Sequence, residues 1–241
     1  MKILIIRHGH PDYTTDSLTE KGRIEAELLS ERLVRMKIDD VYCSPMGRAR
    51  ETAKPMLEKL GKEEVVLPWL HEFDARYISP RTGKEELSFD LMPQYWSIQP
   101  ELYDREKWVD HGLYRTGGIK ELYEQTKQGV DALLERYGYV REHGGLVFRC
   151  EKNDDRVIAL FCHCIIGQTI IAHLLGMSAP VLWHTTMMPT SSVTTLVTEE
   201  RIPGQVLFRM FQMGDTSHLY AAGEPVSTAG CFPECAIPKN D

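Results

Sequence analysis

Four apolar residues, Ile3–Ile6, stop abruptly at Arg7-His8-Gly9. A short unbroken apolar run closed by a polar turn is the pattern of a strand covered on both faces, as in a parallel sheet. Ser17-Leu18-Thr19-Glu20 spells a capping box in which either Ser17 or Thr19 can serve as N-cap. The helix behind it sets Ala26, Leu29, Leu33 and Met36 on one stripe. Val41-Tyr42-Cys43 predicts a second strand, stopped by Ser44-Pro45. The next helix aligns Ala49, Ala53, Met56 and Leu60 and ends at Gly61, and Val65–Leu67 predicts a third strand. Strand, helix, strand, helix, strand is the order of a mostly parallel sheet with helices on both faces, a three-layer α/β/α sandwich.

The rest of the chain is less regular. Arg76–Gly118 carries prolines 80, 93 and 100, Trp96 and Trp108, and tyrosines or histidines at 77, 95, 103, 111 and 114. It is too long for an ordinary connection and too aromatic for a disordered linker. It reads as a subdomain inserted over the functional edge of the sheet, or as one that only adds core. Helix resumes at Ile119, with Leu122, Val130, Leu133 and Tyr137 at helical spacing. Leu146–Cys150 and Val157–Cys162 flank the turn signal Lys152-Asn153-Asp154-Asp155 and are expected to pair as a hairpin. Ile165–Leu175 is expected to be helical. Val193–Thr198 and Val206–Met213, around Pro203-Gly204, form a second expected hairpin, and the tail after Gly223 reads as irregular. The whole, 1–241, is expected to be one domain with an insertion at about 76–118.

Charge changes the picture in two places. The chain has 241 residues, 42% of them hydrophobic, and a net charge of −7. That balance disfavours a nucleic-acid binder, which needs a basic face, and a polybasic membrane anchor. Val157–Thr198 contains no Asp, Glu, Lys or Arg. Its interior holds Cys162, His163, Cys164, Gln168, Thr169 and His173, so a buried strand and helix fit better than a membrane span. No secretory signal is legible, and the cysteines at 43, 150, 162, 164, 231 and 235 show no disulfide spacing. Reduced thiols and a cytoplasmic location are expected.

Candidate chemistry gathers at the strand ends, where α/β folds place their sites. Arg7 can fork two donors onto a phosphate, and the neighbouring His8 can attack phosphorus. Ser44-Pro45 opens a helix whose N-terminus and Arg48 are aimed at the same anion. Glu72 lies in Leu70-His71-Glu72-Phe73-Asp74 between apolar side chains, where burial would suit a carboxyl to donating a proton. His163 ends an uncharged strand. Each alone has a plainer reading: a polar strand end, a solvated helix charge, a surface acid, a satisfied core histidine. Cys162-His163-Cys164 with Cys231 and Cys235 suggests a metal site, but adjacent strand residues point to opposite faces, so no metal and no cofactor are expected. There is no Walker loop and no Gly-x-Ser-x-Gly elbow.

Taken together these segments resemble the histidine phosphatase superfamily, the phosphoglycerate mutase-like proteins. The match includes Arg7-His8-Gly9, Leu18-Thr19-Glu20-Lys21-Gly22 and the Ser-Pro-x-x-Arg-Ala-x-x-Thr-Ala run at 44–53. It continues with Leu-x-Glu at 70–72, Cys162-His163, Ser192-Val193-Thr194 and Asp215-Thr216-Ser217-His218-Leu219. The resemblance implies that His8 is a nucleophile forming phosphohistidine. It also implies that Arg7, Arg48 and His163 surround the phosphoryl oxygens, and that Glu72 is the proton donor. Two arginines and a histidine can stabilise phosphoryl transfer without metal, and they should keep His8 neutral. Cys164 replaces a common glycine, and His10-Pro11 replaces the family's usual acid or Gln followed by Thr. Phe73-Asp74-Ala75-Arg76-Tyr77 replaces the mutases' Tyr-Gly run, which favours a phosphatase. The expectation is a metal-independent phosphomonoesterase for a small phosphorylated metabolite, with a mutase or a non-catalytic phospholigand-binding protein as alternatives. Arg81, Lys84, Arg105 and Arg115 of the insertion are candidate second anion contacts.

Overall fold

The first strand, β1 (Lys2–Arg7), sends Ile3 and Ile5 to one side of a sheet and Leu4 and Ile6 to the other. An apolar run without alternation is therefore what two covered faces require. A ribbon of β2 (Pro11–Asp12) and β3 (Ser17–Leu18) leads into α1 (Glu20–Leu33), whose N-cap is Thr19, accepting from the Gly22 N–H at 3.1 Å. Then come β4 (Asp40–Cys43), α2 (Gly47–Leu60) and the edge strand β5 (Val65–Val66). The insertion contains the ribbon β6 (Arg76–Ile78) and β7 (Glu85–Leu87), the single-turn α3 (Pro93–Trp96) and 3-10 turns. After it run α4 (Ile119–Glu135), β8 (Val140–Arg141), β9 (Phe148–Arg149), β10 (Val157–Cys162), α5 (Cys164–Leu175) and α6 (Ala179–Thr185). The long hairpin β11 (Val193–Ile202) and β12 (Gln205–Asp215) and then α7 (Ser217–Ala222) follow. This computed structural model describes the chain except residues 116, 233–234 and 236–241, so the end of the irregular tail lies outside the described residues.

The central sheet is ordered β5-β4-β10-β1-β11-β12-β9-β8. β5, β4, β10 and β1 run parallel, and the remaining strands extend the sheet in antiparallel fashion. α1 and α2 cover one face through Leu29, Leu33, Ala49, Ala53 and Met56, packed on Leu4, Ile6, Ala159 and Phe161. α4, α5 and α6 cover the other, on Ile3, Ile5, Ile158 and Leu160. The α/β sandwich expected from the alternation of elements is the observed one.

One expectation fails. Leu146–Cys150 does not pair with Val157–Cys162. β9 pairs instead with β12 and β8, while β10 lies between β1 and β4. β10 buries side chains on both faces, so it needs the sheet centre, which a two-stranded hairpin cannot give. The turn signal at 152–155 marks a loop that binds the chain's amino group through the Asn153 side chain at 3.3 Å. The β11–β12 hairpin around Pro203-Gly204 forms as expected, with Gly204 at φ +80 in the turn. The uncharged stretch is β10, the almost fully buried α5, α6 and the start of β11. No helix among the described residues is long and apolar enough to cross a membrane.

The insertion's aromatics build core. Trp108 is fully buried and meets Trp183 of α6 and Tyr123 of α4 at ring distances of 5.1 and 4.7 Å. Trp96 stacks on His184 at 4.9 Å. The edge-on contacts of Trp108 and the stacked Trp96–His184 pair both add to simple burial. Trp108→Ala should therefore cost about 3–5 kcal/mol of stability, read as a lower denaturant midpoint. A loss below about 1 kcal/mol would mean the insertion folds apart from the sheet layers.

Candidate active site

Three adjacent parallel strands deliver the chemistry. The ladder continues one residue past β1, where His8 N–H donates to the Cys162 carbonyl at 3.0 Å, and past β4, where Ser44 N–H donates to the Phe161 carbonyl at 2.8 Å. His163 therefore sits between His8 and Ser44, its ring 5.1 Å from that of His8. Gly9 follows because a Cβ there would lie 2.7 Å from the Gly22 carbonyl oxygen at the start of α1. His8 Nδ1 is 2.7 Å from the Gly9 carbonyl oxygen. A carbonyl only accepts, so Nδ1 carries the proton and Nε2 keeps a free lone pair.

The cations around this pair are buried. Arg7, His8, Arg48 and His163 are 3%, 2%, 6% and 0% exposed. Arg7 donates Nη1–H to the Met188 carbonyl at 2.6 Å and Nη2–H to the Ala229 carbonyl, in the tail, at 3.1 Å. Arg48 donates to Asp16 Oδ1 at 2.5 Å, and Asp16 Oδ2 accepts the Gly47 N–H at 2.7 Å, so one carboxylate caps α2 and holds the arginine. Arg7 Nε, Arg48 Nε and His163 Nδ1 are buried without a partner among the described residues. Burial, ahead of the arginine charges, holds both His8 and His163 well below the ordinary imidazole range. The neutrality expected of His8 from charge alone thus has desolvation as its larger cause.

Glu72 reaches the same cluster by a route that sequence did not suggest. Its segment leaves the 3-10 turn Pro68–Leu70 with Leu70 and Phe73 buried, but the carboxylate itself meets backbone donors. Oε1 accepts from Ile166 N–H and Phe73 N–H, each at 2.9 Å, and Oε2 from Ile165 N–H at 3.5 Å. Glu72 thus occupies the N-terminus of α5, one turn of chain beyond His163, and helix polarity rather than apolar packing fixes it there. All five sequence candidates are brought together. Sequence reasoning missed Asp16, the hydroxyl of Ser44, and the tail carbonyl on Arg7, because each acts across the fold. Arg81 pairs with Glu86 and Arg105 with Glu106, both at 3.3 Å, and Arg115 bonds the Asp110 carbonyl at 3.3 Å. Those insertion cations are thus partnered within the insertion. Among the described residues no group of three or more His, Cys, Asp or Glu side chains is placed to hold a metal ion.

Fold and cluster together define an α/β protein with two imidazoles and two guanidiniums at the carboxyl ends of neighbouring parallel strands. The chain belongs to the histidine phosphatase superfamily (branch 1), whose model matches residues 3–209. A probable phosphatase of Schizosaccharomyces pombe is 42% identical over 67 residues, which is 24% of this chain and 32% of that protein. The adenosylcobalamin/alpha-ribazole phosphatase of Salmonella typhi is 24% identical over 198 residues, covering 76% of this chain and 84% of the relative. Phosphoglycerate mutases also occur among the relatives. The structure of the mycobacterial glucosyl-3-phosphoglycerate phosphatase superposes with a TM-score of 0.58 at 20% identity, over 88% of this chain and 98% of the other.

Burial also makes the fold sensitive to acid. His8, His163, His173, His184 and His218 are all shifted below the ordinary value of 6.5, burial being the largest cause for each. Below that value the unfolded chain binds more protons than the folded one. Stability is therefore full above it and lost as pH falls, by up to about 1.4 kcal/mol per pH unit for each ring held neutral. For His218 the loss ends at about 4. Glu25, raised by burial, opposes the trend within the carboxylate range. Melting temperature should drop between about pH 7 and about pH 5. A flat profile would show that these rings charge freely in the folded protein.

Proposed function

We propose that the chain is a metal-independent phosphomonoesterase acting on a small phosphate ester through a phosphohistidine. The observation that carries this reading is the Nε2 lone pair of His8 beside buried Arg7, Arg48 and His163 nitrogens that have no partner among the described residues. The Nε2 pair attacks phosphorus, the P–O bond to the leaving group breaks, and its electrons stay on that oxygen. Glu72 enters this step protonated on Oε2, the oxygen with only one long backbone contact, and gives that proton to the leaving oxygen. Water then attacks phosphorus, gives its proton to Glu72, and the P–N pair returns to His8. The arginines and His163 meet the charge that builds on the equatorial oxygens, and fixed donors in a dry pocket are worth most there.

The Phe-Asp-Ala-Arg-Tyr run after Glu72 favours transfer to water over the mutase outcome. A small substrate fits a pocket whose cationic groups are enclosed within a chain of net charge −7. One relative is named an adenosylcobalamin/alpha-ribazole phosphatase and one structural neighbour a glucosyl-3-phosphoglycerate phosphatase, which supports the same substrate class.

Phosphate release from an aryl phosphate in the presence of EDTA should occur and should vanish in His8→Ala. Isomerised sugar phosphate without free phosphate would establish the mutase instead. Glu72→Gln should slow alkyl phosphates by roughly 10²–10⁴ and para-nitrophenyl phosphate far less, since that leaving group needs no proton. Equal losses on both would assign Glu72 to holding α5 alone.

A further inference from the structure

The two ring nitrogens of His163 differ. Nε2 lies 2.7 Å from Ser44 Oγ, and Nδ1 is buried without a partner among the described residues. Ser44 is itself fully buried at the turn between β4 and α2. Its Oγ already accepts the Met46 N–H at 3.2 Å. The hydroxyl has one proton to place, and among its described contacts His163 Nε2 is the group that can accept it. The reverse arrangement, with Nε2–H donating to Oγ, would strand the hydroxyl proton in a dry interior and turn a lone pair toward the pocket at Nδ1. An unmet buried donor is costly, so the first arrangement is favoured.

We propose that Ser44 is a positioning residue that fixes His163 as its Nδ1–H tautomer, so that the ring's single N–H faces the phosphoryl group in transfer. The inference deepens the phosphatase reading and rests on it for the role of that N–H. Its logic depends on the ring being neutral, as its burial, reinforced by the nearby Arg48 and Arg7 charges, makes it. A charged imidazole would present donors at both nitrogens, whereas a neutral one offers a donor or a lone pair, and the serine decides which. The lone-pair form would oppose a phosphate oxygen.

The test is nitrogen-15 NMR of the full chain labelled at histidine, with the His163 signals assigned by their loss in His163→Gln. In the unsubstituted protein at neutral pH, the proton should reside on Nδ1 of His163, with Nε2 as the bare nitrogen. Ser44→Ala should move the proton to Nε2 and lower kcat/KM on an aryl phosphate by about 10- to 100-fold, the scale known for losing the group that orients a metal-bound histidine. Ser44→Thr, which keeps the hydroxyl, should keep the Nδ1–H form and most of the rate. An Nε2–H ring in the unsubstituted protein overturns the proposal without any variant, and so does an unchanged tautomer in folded Ser44→Ala. If the unsubstituted protein shows the Nδ1–H ring yet releases no phosphate from any ester, the tautomer assignment stands and the phosphatase reading falls.

Discussion

The backbone ladder between β1 and β10 is the constraint on which the site depends. It pairs Arg7 with Cys162 and continues to the bond from His8 N–H to the Cys162 carbonyl. In a parallel pair, a slip of one residue would turn every side chain to the opposite face. His8 would then leave the pocket, and Ile3–Ile6 would exchange partners on both layers. The two faces are filled by different helices, so neither can accept the other's side chains. Core packing and the placing of two imidazoles 5.1 Å apart are thus one requirement.

Gathering two guanidiniums beside those imidazoles in the interior is costly, and the fold offsets it with local acceptors. Arg7 is held by the carbonyls of Met188 and Ala229, and Arg48 by the Asp16 carboxylate. These contacts orient each fork and leave its Nε without a partner among the described residues. The same enclosure holds His8 and His163 neutral, so one physical cause gives both an unprotonated ring nitrogen and a pocket in need of negative charge. The Asp16 carboxylate completes the set by capping α2, whose first turn presents Arg48.

Much of this was legible in the sequence because the signals are local. Ile3–Ile6, Thr19 as one of two candidate caps, Ser44-Pro45 and Gly61 each mark an element boundary within a few residues. The positions of His8, Arg48, Glu72 and His163 at strand or helix ends followed from those boundaries. What failed was partner choice. The apolar run Val157–Cys162 shows that a strand is buried but not beside which neighbours, so sequence proximity points to a hairpin where the fold uses the sheet centre. The contacts that finish the site join positions far apart, Asp16 to Arg48 and Arg7 to Ala229, and carry no mark of their destination. For Glu72 the apolar neighbours in sequence point to an enclosed carboxyl, whereas the structure holds its carboxylate on the backbone donors at the N-terminus of α5.

α5 is buried without interruption from Cys164 to Ala172, with His163 at its N-cap and Glu72 on its first backbone donors. A helix walled in on every side tolerates little variation in side-chain volume. The half of the pocket it supports is therefore a fixed anvil, common to whatever ester is worked on it. Divergence toward new esters, by evolution or by engineering, has to come from the opposite rim, where Tyr13 lies 64% exposed and the tail folds back over Arg7.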